Sequence, residues 1–262
     1  MTMHHELLAL HDDQVRGTIA SRMPSTWTSS WDGPVLQVAT PRRGLAFARD
    51  VDGLSTEDLA ALIRRVRDRS AALGLAVEWK TYGHDRPDLT ERLRLAGFTP
   101  EDEQTVVIGL ATELTSSGEA PDGVSIRPTT DADDLRRIAA MESAVWGLDC
   151  SWLADDLGDR VASAPENIVV LVAEAADEVV SAAWLVVMPG TEFAGLWGGA
   201  TLAPWRGRGI YRALVALRAR IAVERSIPYL LVDASNDSRP VLQRLGMHAV
   251  GTTTPWVWRP TT

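Results

Sequence analysis

Apolar positions along the chain fall into short runs separated by longer stretches of helical spacing, which predicts strands alternating with helices. Residues 35–40 and 45–49 read as two short strands. Ser55, with Asp58 three positions on, predicts a capped helix whose apolar side is Leu59, Leu62, Ile63, Val66 and Leu73 and which Gly74 stops. A strand over 76–80, a helix over 87–96 and a strand over 105–110 follow. Residues 112–123 lose the apolar period and carry Ser116, Ser117, Gly118 and Pro121, as a linker does.

Beyond that stretch the signals sharpen. A strand opens near Ile126, and Thr130 or Asp131 caps a helix carrying Leu135, Ile138, Met141 and Val145 at helical spacing. A second helix covers 152–161. The β-rich runs 168–173 and 179–188 flank an acidic turn and predict an antiparallel hairpin. A strand over 193–202 leads through a glycine-rich turn into a helix whose buried side is Ile210, Leu214, Leu217 and Ile221, ending before Pro228. The short apolar run 229–232 then predicts a strand buried on both faces.

Composition narrows the function. At 262 residues the chain favours two modest domains, and 45% hydrophobic residues supply a globular core. A net charge of −9 argues against a phosphate-tracking nucleic-acid surface and suits a cationic amine, though weakly. Cys150, the single cysteine, excludes an intramolecular disulfide. Residues 1–8 lack the basic and long apolar regions of a signal peptide, and no uncharged apolar stretch is long enough for a bilayer, so the expectation is a cytoplasmic protein without membrane contact. The five histidines show no metal-ligand spacing beyond the terminal pair, and no metal is expected. Lys80 is the only lysine; no function attaches to it from sequence.

The candidate chemistry sits between Leu202 and Leu214. A helix start leaves backbone N–H groups without partners and carries partial positive charge, so a diphosphate placed there finds donors and a favourable dipole. Gly207 and Gly209 let the backbone come close to an anion, and Arg206 and Arg208 add fixed positive charge. The plainer alternative is a strand-to-helix connection with a basic tip. The segment is neither a P-loop nor Gly-x-Gly-x-x-Gly.

Arg206-x-x-Gly209, preceded by an apolar strand ending in Leu202-Ala-Pro, resembles the acetyl-CoA signature of the GNAT superfamily of N-acetyltransferases. The stretch from Asp233 through Asn236 and Ser238 to Leu245-Gly-Met247 resembles the family's second signature, with Met247 where Phe is usual. The resemblance runs from about Gly123 to the C-terminus. It implies an α/β fold, an α+β mixed sheet of GNAT type. Upstream, Asp85-Arg-Pro…Leu-Ala-Gly-Phe98 echoes Ser238-Arg-Pro…Leu-Gly-Met247, so residues 1–115 read as a degenerate, incomplete GNAT-like unit without a cofactor loop, 116–122 as a linker and 123–262 as the acetyl-CoA-binding domain. The upstream unit would cover a sheet edge or shape the substrate cleft.

The resemblance implies direct attack of a neutral small-molecule amine on the thioester of acetyl-CoA, used as co-substrate. Backbone N–H groups near Leu202, with Thr201 beside it, would polarise the carbonyl; Arg206, Gly207, Arg208, Gly209, Ile210 and Tyr211 would hold the diphosphate; Asn236 would contact the pantetheine arm. Three positions depart from the family. Tyr211 replaces a small residue and either crowds the diphosphate or points outward. Leu242 stands where many relatives place a tyrosine acid, and the middle of the cofactor strand, Ala194-Gly-Leu-Trp-Gly-Gly, has no glutamate. The remaining catalytic candidates are Glu192, at the start of the strand or merely in its turn; Ser238, a thiolate donor or a helix cap; and Asp233, an amine ligand or a turn cap. Trp146, Trp152 and Trp197 either line a substrate pocket or fill the core and receive no role. The rival classes are a non-catalytic acyl-CoA-binding or regulatory module, and a nucleotide-binding protein using the same loop. The sequence does not fix the oligomeric state or the amine.

Overall fold

A computed structural model describes residues 3–23 and 27–260. Met1 and Thr2, part of the N-terminal reading above, lie outside the described residues. In chain order the elements are α1 (Met3–His11), a π-helical turn (Asp12–Arg16), a 3-10 turn (Ile19–Arg22), β1 (Thr28–Asp32), β2 (Val35–Ala39), β3 (Gly44–Ala48), α2 (Thr56–Ala72), β4 (Val77–Tyr82), α3 (Leu89–Leu95), β5 (Thr99–Pro100), β6 (Gln104–Leu110) and α4 (Ala111–Leu114). They continue with β7 (Ser125–Thr129), α5 (Ala132–Trp146), α6 (Trp152–Ser163), a 3-10 turn (Pro165–Asn167), β8 (Ile168–Ala175), β9 (Glu178–Val187), β10 (Phe193–Thr201), a 3-10 turn (Ala203–Trp205), α7 (Ile210–Glu224), β11 (Tyr229–Ala234), α8 (Arg239–Arg244) and β12 (His248–Trp258).

The chain divides into two compact units: Met1–Val107 with Asp233–Pro240 and Ala249–Thr262, and Ile108–Val232 with Val241–His248. In the first, β1, β2 and β3 are antiparallel neighbours, β3 and β4 are parallel, and β12 runs antiparallel to β4 and β5. Leu59, Leu62, Ile63 and Val66 of α2 and Leu89 and Leu93 of α3 pack on Trp79, which is fully buried. Ser55 caps α2 through Asp58 N–H at 3.1 Å, as its spacing predicts. β12 goes unpredicted by apolar periodicity; it contains Gly251 and Pro255, residues unfavourable in a strand, and is held by its pairing with β4 and β5.

In the second unit β7, β8, β9 and β10 form an antiparallel meander, and β11 joins β10 in parallel. Leu135 and Ile138 of α5 and Leu153 and Leu157 of α6 cover one face of this sheet with Val170, Ala182 and Trp184; Ile210 and Leu214 of α7 cover the other with Leu171, Val180 and Ala183. Asp131, one of the two cap candidates, accepts from Asp133 N–H at 2.8 Å and Asp134 N–H at 3.1 Å. The polar stretch from Thr112 opens on α4, whose Ala111 and Leu114 are buried, and a Cβ on Gly118 would meet Arg212 and Ala213 of α7.

The echo between the two halves extends to backbone geometry. Gly97 and Gly246 both take positive φ, +89° and +98°, after a short helix. Phe98 N–H returns to Leu93 O at 3.0 Å, and Met247 N–H to Leu242 O at 3.1 Å. Each bond closes a six-to-one turn that satisfies an end carbonyl and buries the next apolar side chain. Phe98 and Met247 are both buried.

Candidate active site

The site is built on β10. Its parallel ladder with β11 pairs Phe193 with Tyr229, Ala194 with Leu230 and Gly195 with Leu231, and goes no further, while β10 continues to Thr201 against β9 alone. From Leu196 onward the edge of β10 that had faced β11 has no partner in β11, and in this stretch the carbonyls of Trp197, Ala200 and Thr201 accept from the side chains of Arg218, Ser181 and Arg206. The antiparallel register with β9 slips between Gly198 and Ala200, and Gly198 and Gly199 take φ of +67° and +90°. This bulge turns the end of the strand.

The glycine-rich turn follows at once. Arg206 Nε donates to Thr201 O at 2.9 Å, and the Arg208 guanidinium stacks 4.6 Å over the Trp205 ring. Gly207 has φ of +74° and open space where a Cβ would sit; Gly209 has φ of +93° and meets only Arg212 Nη2 at 3.5 Å. Gly209 is the N-cap of α7 and supplies no side-chain cap, so the first-turn amides of α7 point out of the helix without one. These residues suit a diphosphate: the positive φ values are ones only glycine adopts cheaply, and the open space admits an anion. Leu202 N–H donates to Val180 O at 2.9 Å, and Thr201 Oγ1 lies 2.9 Å from Ser181 Oγ, so both residues hold β10 to β9.

Tyr211 takes neither of the directions open to it from sequence. Its ring turns toward the sheet and rests on Gly199, away from the open space at Gly207. Two turns further along α7, Arg218 is buried, with Nη1 reaching Trp197 O at 3.2 Å and Trp184 O at 3.4 Å and Nε on Leu214 O at 3.0 Å. Its Nη2 is buried with no partner, and burial pulls its pKa down. Arg218 therefore props β9 and β10 beside the bulge. Residue spacing does not reveal this role, because an arginine in an apolar helix reads as a solvated break in the stripe.

The catalytic candidates scatter. Glu192 is exposed in the turn before β10, at the paired end of the strand; about nine residues at roughly 3.3 Å each separate it from Thr201. Asp233, Asn236 and Ser238 lie in the first unit. Asp233 is half-buried and ion-paired to Lys80. Asn236 is exposed in a turn, and Ser238 donates to Ser235 O at 3.4 Å while Ser235 Oγ accepts Ser238 N–H at 3.3 Å, so Ser235 performs the capping expected of Ser238. Leu242 is fully buried.

Sequence reasoning also passed over Glu142. It is 4% exposed on α5, its Oε2 accepts from Trp146 Nε1 at 2.6 Å, and its Oε1 is buried without a partner. Burial raises its pKa and the Trp146 bond only partly offsets this. Trp146 and Trp197, given no role from sequence, are 63% and 51% exposed. Among the described residues no group of three or more His, Cys, Asp and Glu is arranged to hold a metal, and no helix is long and apolar enough to cross a membrane.

Residues 133–247 match the Acetyltransferase (GNAT) family model. This segment is a GNAT domain. The fold as a whole agrees with a GCN5-related N-acetyltransferase from Kribbella flavida, with TM-score 0.71 and 15% identity over 100% of this chain and 97% of that one. A GCN5-related N-acetyltransferase from Sphaerobacter thermophilus matches with TM-score 0.65 and 16% identity over 99% and 93% of the two chains. A tandem GNAT protein from the clavulanic acid biosynthesis pathway matches with TM-score 0.64 and 11% identity over 92% and 86%. A search of curated proteins finds no match. At these identities the structural likeness speaks for the fold: a mixed α/β GNAT architecture in two units.

Proposed function

We propose that the chain is an acyltransferase that moves the acetyl group of acetyl-CoA to the primary amine of a small molecule by direct attack. The observation that carries this is the parting of β10 from β11 after Gly195, on a strand that runs straight into the Gly207–Gly209 turn and the uncapped start of α7. Acetyl-CoA supplies the activated acyl group. Gly207, Gly209 and the first-turn amides of Ile210 and Tyr211 hold the diphosphate; Arg206 and Arg208 add charge; the edge of β10 beyond Gly195 that has left β11 donates to the thioester carbonyl, while Leu202, whose N–H is taken by Val180 O, anchors the strand end. We assign residues 1–115 to a second, degenerate GNAT-like unit, 116–122 to a linker and 123–262 to the cofactor-binding domain, on the matching Gly97–Phe98 and Gly246–Met247 turns.

Isothermal titration with acetyl-CoA tests the reading. Micromolar binding is expected, weakened about tenfold in Arg206→Ala, in line with the loss of one charge-assisted phosphate contact of about 1.5 kcal/mol. No binding at millimolar ligand would remove it. The buried Leu242 at the acid position favours one rival, a module that holds acyl-CoA without turnover. Free-thiol release across a panel of primary amines separates the two.

A further inference from the structure

Glu142 shares the buried side of α5 with Leu135, Ile138, Ala139 and Val145, which pack with Ala182 and Trp184 of β9 and Ala200 of β10. On the same face, Trp197 of β10 stands directly opposite Trp184 in the ladder. A carboxylate oxygen closed off from water with no donor costs free energy, and Glu142 Oε1 is such an oxygen. Among the described residues no cation forms an ion pair with it; its one hydrogen bond comes from the neutral indole of Trp146. Trp146 is the last residue of α5, followed by Gly147 at φ +66°, and its ring, 63% exposed, leaves an apolar surface beside the carboxylate it bonds. A buried acceptor lacking a cation, next to an exposed apolar ring, is what an amine with an apolar body requires.

We propose that Glu142 receives the acceptor in the GNAT domain: Oε1 takes the ammonium of an amine whose apolar body lies against Trp146, while the Trp146 indole N–H holds the other oxygen, Oε2, and so fixes the carboxylate's orientation. This rests on the acetyltransferase reading above. The ammonium gives one proton to Glu142, and the neutral amine nitrogen then attacks the thioester carbon. The C–N bond forms, the C–S bond breaks, and a second proton from nitrogen leaves with the sulfur as free thiol. Glu142 returns its proton to solvent. Burial raises the carboxyl's pKa, which strengthens it as a base.

The probe is 2-phenylethylamine, followed by quenching of tryptophan fluorescence, with putrescine as the polar comparison and acetyl-CoA titrated separately by calorimetry. Wild type is expected to bind phenylethylamine saturably and at least tenfold more tightly than putrescine. Glu142→Gln, which keeps the acceptor for Trp146, should weaken phenylethylamine at least tenfold and thiol release at least a hundredfold while leaving acetyl-CoA affinity unchanged. Glu142→Asp gives the same comparison should Glu142→Gln not fold, with binding retained better than turnover. Equal phenylethylamine affinity, within threefold, in wild type and variant would overturn the proposal, as would no saturable binding or no preference over putrescine. Amine binding without acetyl-CoA binding would instead remove the acetyltransferase reading and leave the amine site standing.

Discussion

Tyr211 rests on Gly199. Its Cε2 lies 2.7 Å from the point a Cβ on Gly199 would occupy, and Gly199 has φ of +90°. The bulky residue that replaces a small one in the turn is thus accommodated by a glycine in the bulge of the preceding strand. Gly199→Ala should lose about 2–4 kcal/mol through combined backbone strain and overpacking. Gly207→Ala, strained but with open space, should lose about 1–2 kcal/mol. Urea midpoints of the two variants check the difference; equal losses would mean that the ring moves aside freely.

The start of α5 is tied to β7 and β8 by charge. Arg127 donates to Asp134 at 2.7 and 3.1 Å and to Glu174 at 2.8 Å, Thr129 donates to Asp134 at 2.6 Å, and Arg137 reaches both carboxylates. The Arg127 bonds, with those from Thr129 and Arg137, hold the Asp134 carboxyl down at about 2 despite burial. An acid depressed in the folded state adds stability above its unfolded pKa and loses it as pH falls through the folded value, so this contribution is complete above pH 4 and fades toward pH 2. Discounted for the partly exposed arginines, it is about 1–2 kcal/mol. Asp134→Asn should show that deficit at pH 7 in chemical denaturation, and the gap to wild type should close near pH 2.

Lys80 and Asp233 form a mostly buried ion pair within the first unit. Burial works against the lysine charge, but Asp233, Tyr82 and Glu78 outweigh it and raise its pKa. Removing either partner leaves a charge without its counterpart, so Lys80→Met and Asp233→Asn should each cost about 1–3 kcal/mol. The double variant should cost less than the sum, and additive losses would show that the pair does not couple. Because the lysine pKa is raised, the pair's contribution is complete below the unfolded lysine value and declines in strong alkali. A structural Asp233 predicts that its loss lowers thermal stability before it touches acetyl-CoA affinity.

Ser235 and Ser238 exchange hydrogen bonds in the turn before α8, but only Ser235 Oγ accepts a backbone N–H there. Ser235→Ala should therefore lower stability by about 0.5–1 kcal/mol and Ser238→Ala by less. Thermal melts of the two variants decide it.

Features encoded within a few neighbouring residues were legible in the sequence by itself. The Ser55 and Asp131 caps and the turn glycines Gly207, Gly209 and Gly246 are such features, because a cap or a positive φ is a local demand that the local residues must meet. The loop that carries the family resemblance belongs with them. What needed the tertiary structure were charges whose meaning depends on distant partners. Lys80 and Asp233 are 153 residues apart, Arg218 reaches carbonyls on two strands, and Glu142 occupies an apolar stripe that hides one of its oxygens. Spacing along the chain places such a side chain on a helix or strand, but only packing determines whether water, a counter-ion or nothing surrounds it, and that surrounding sets its chemistry.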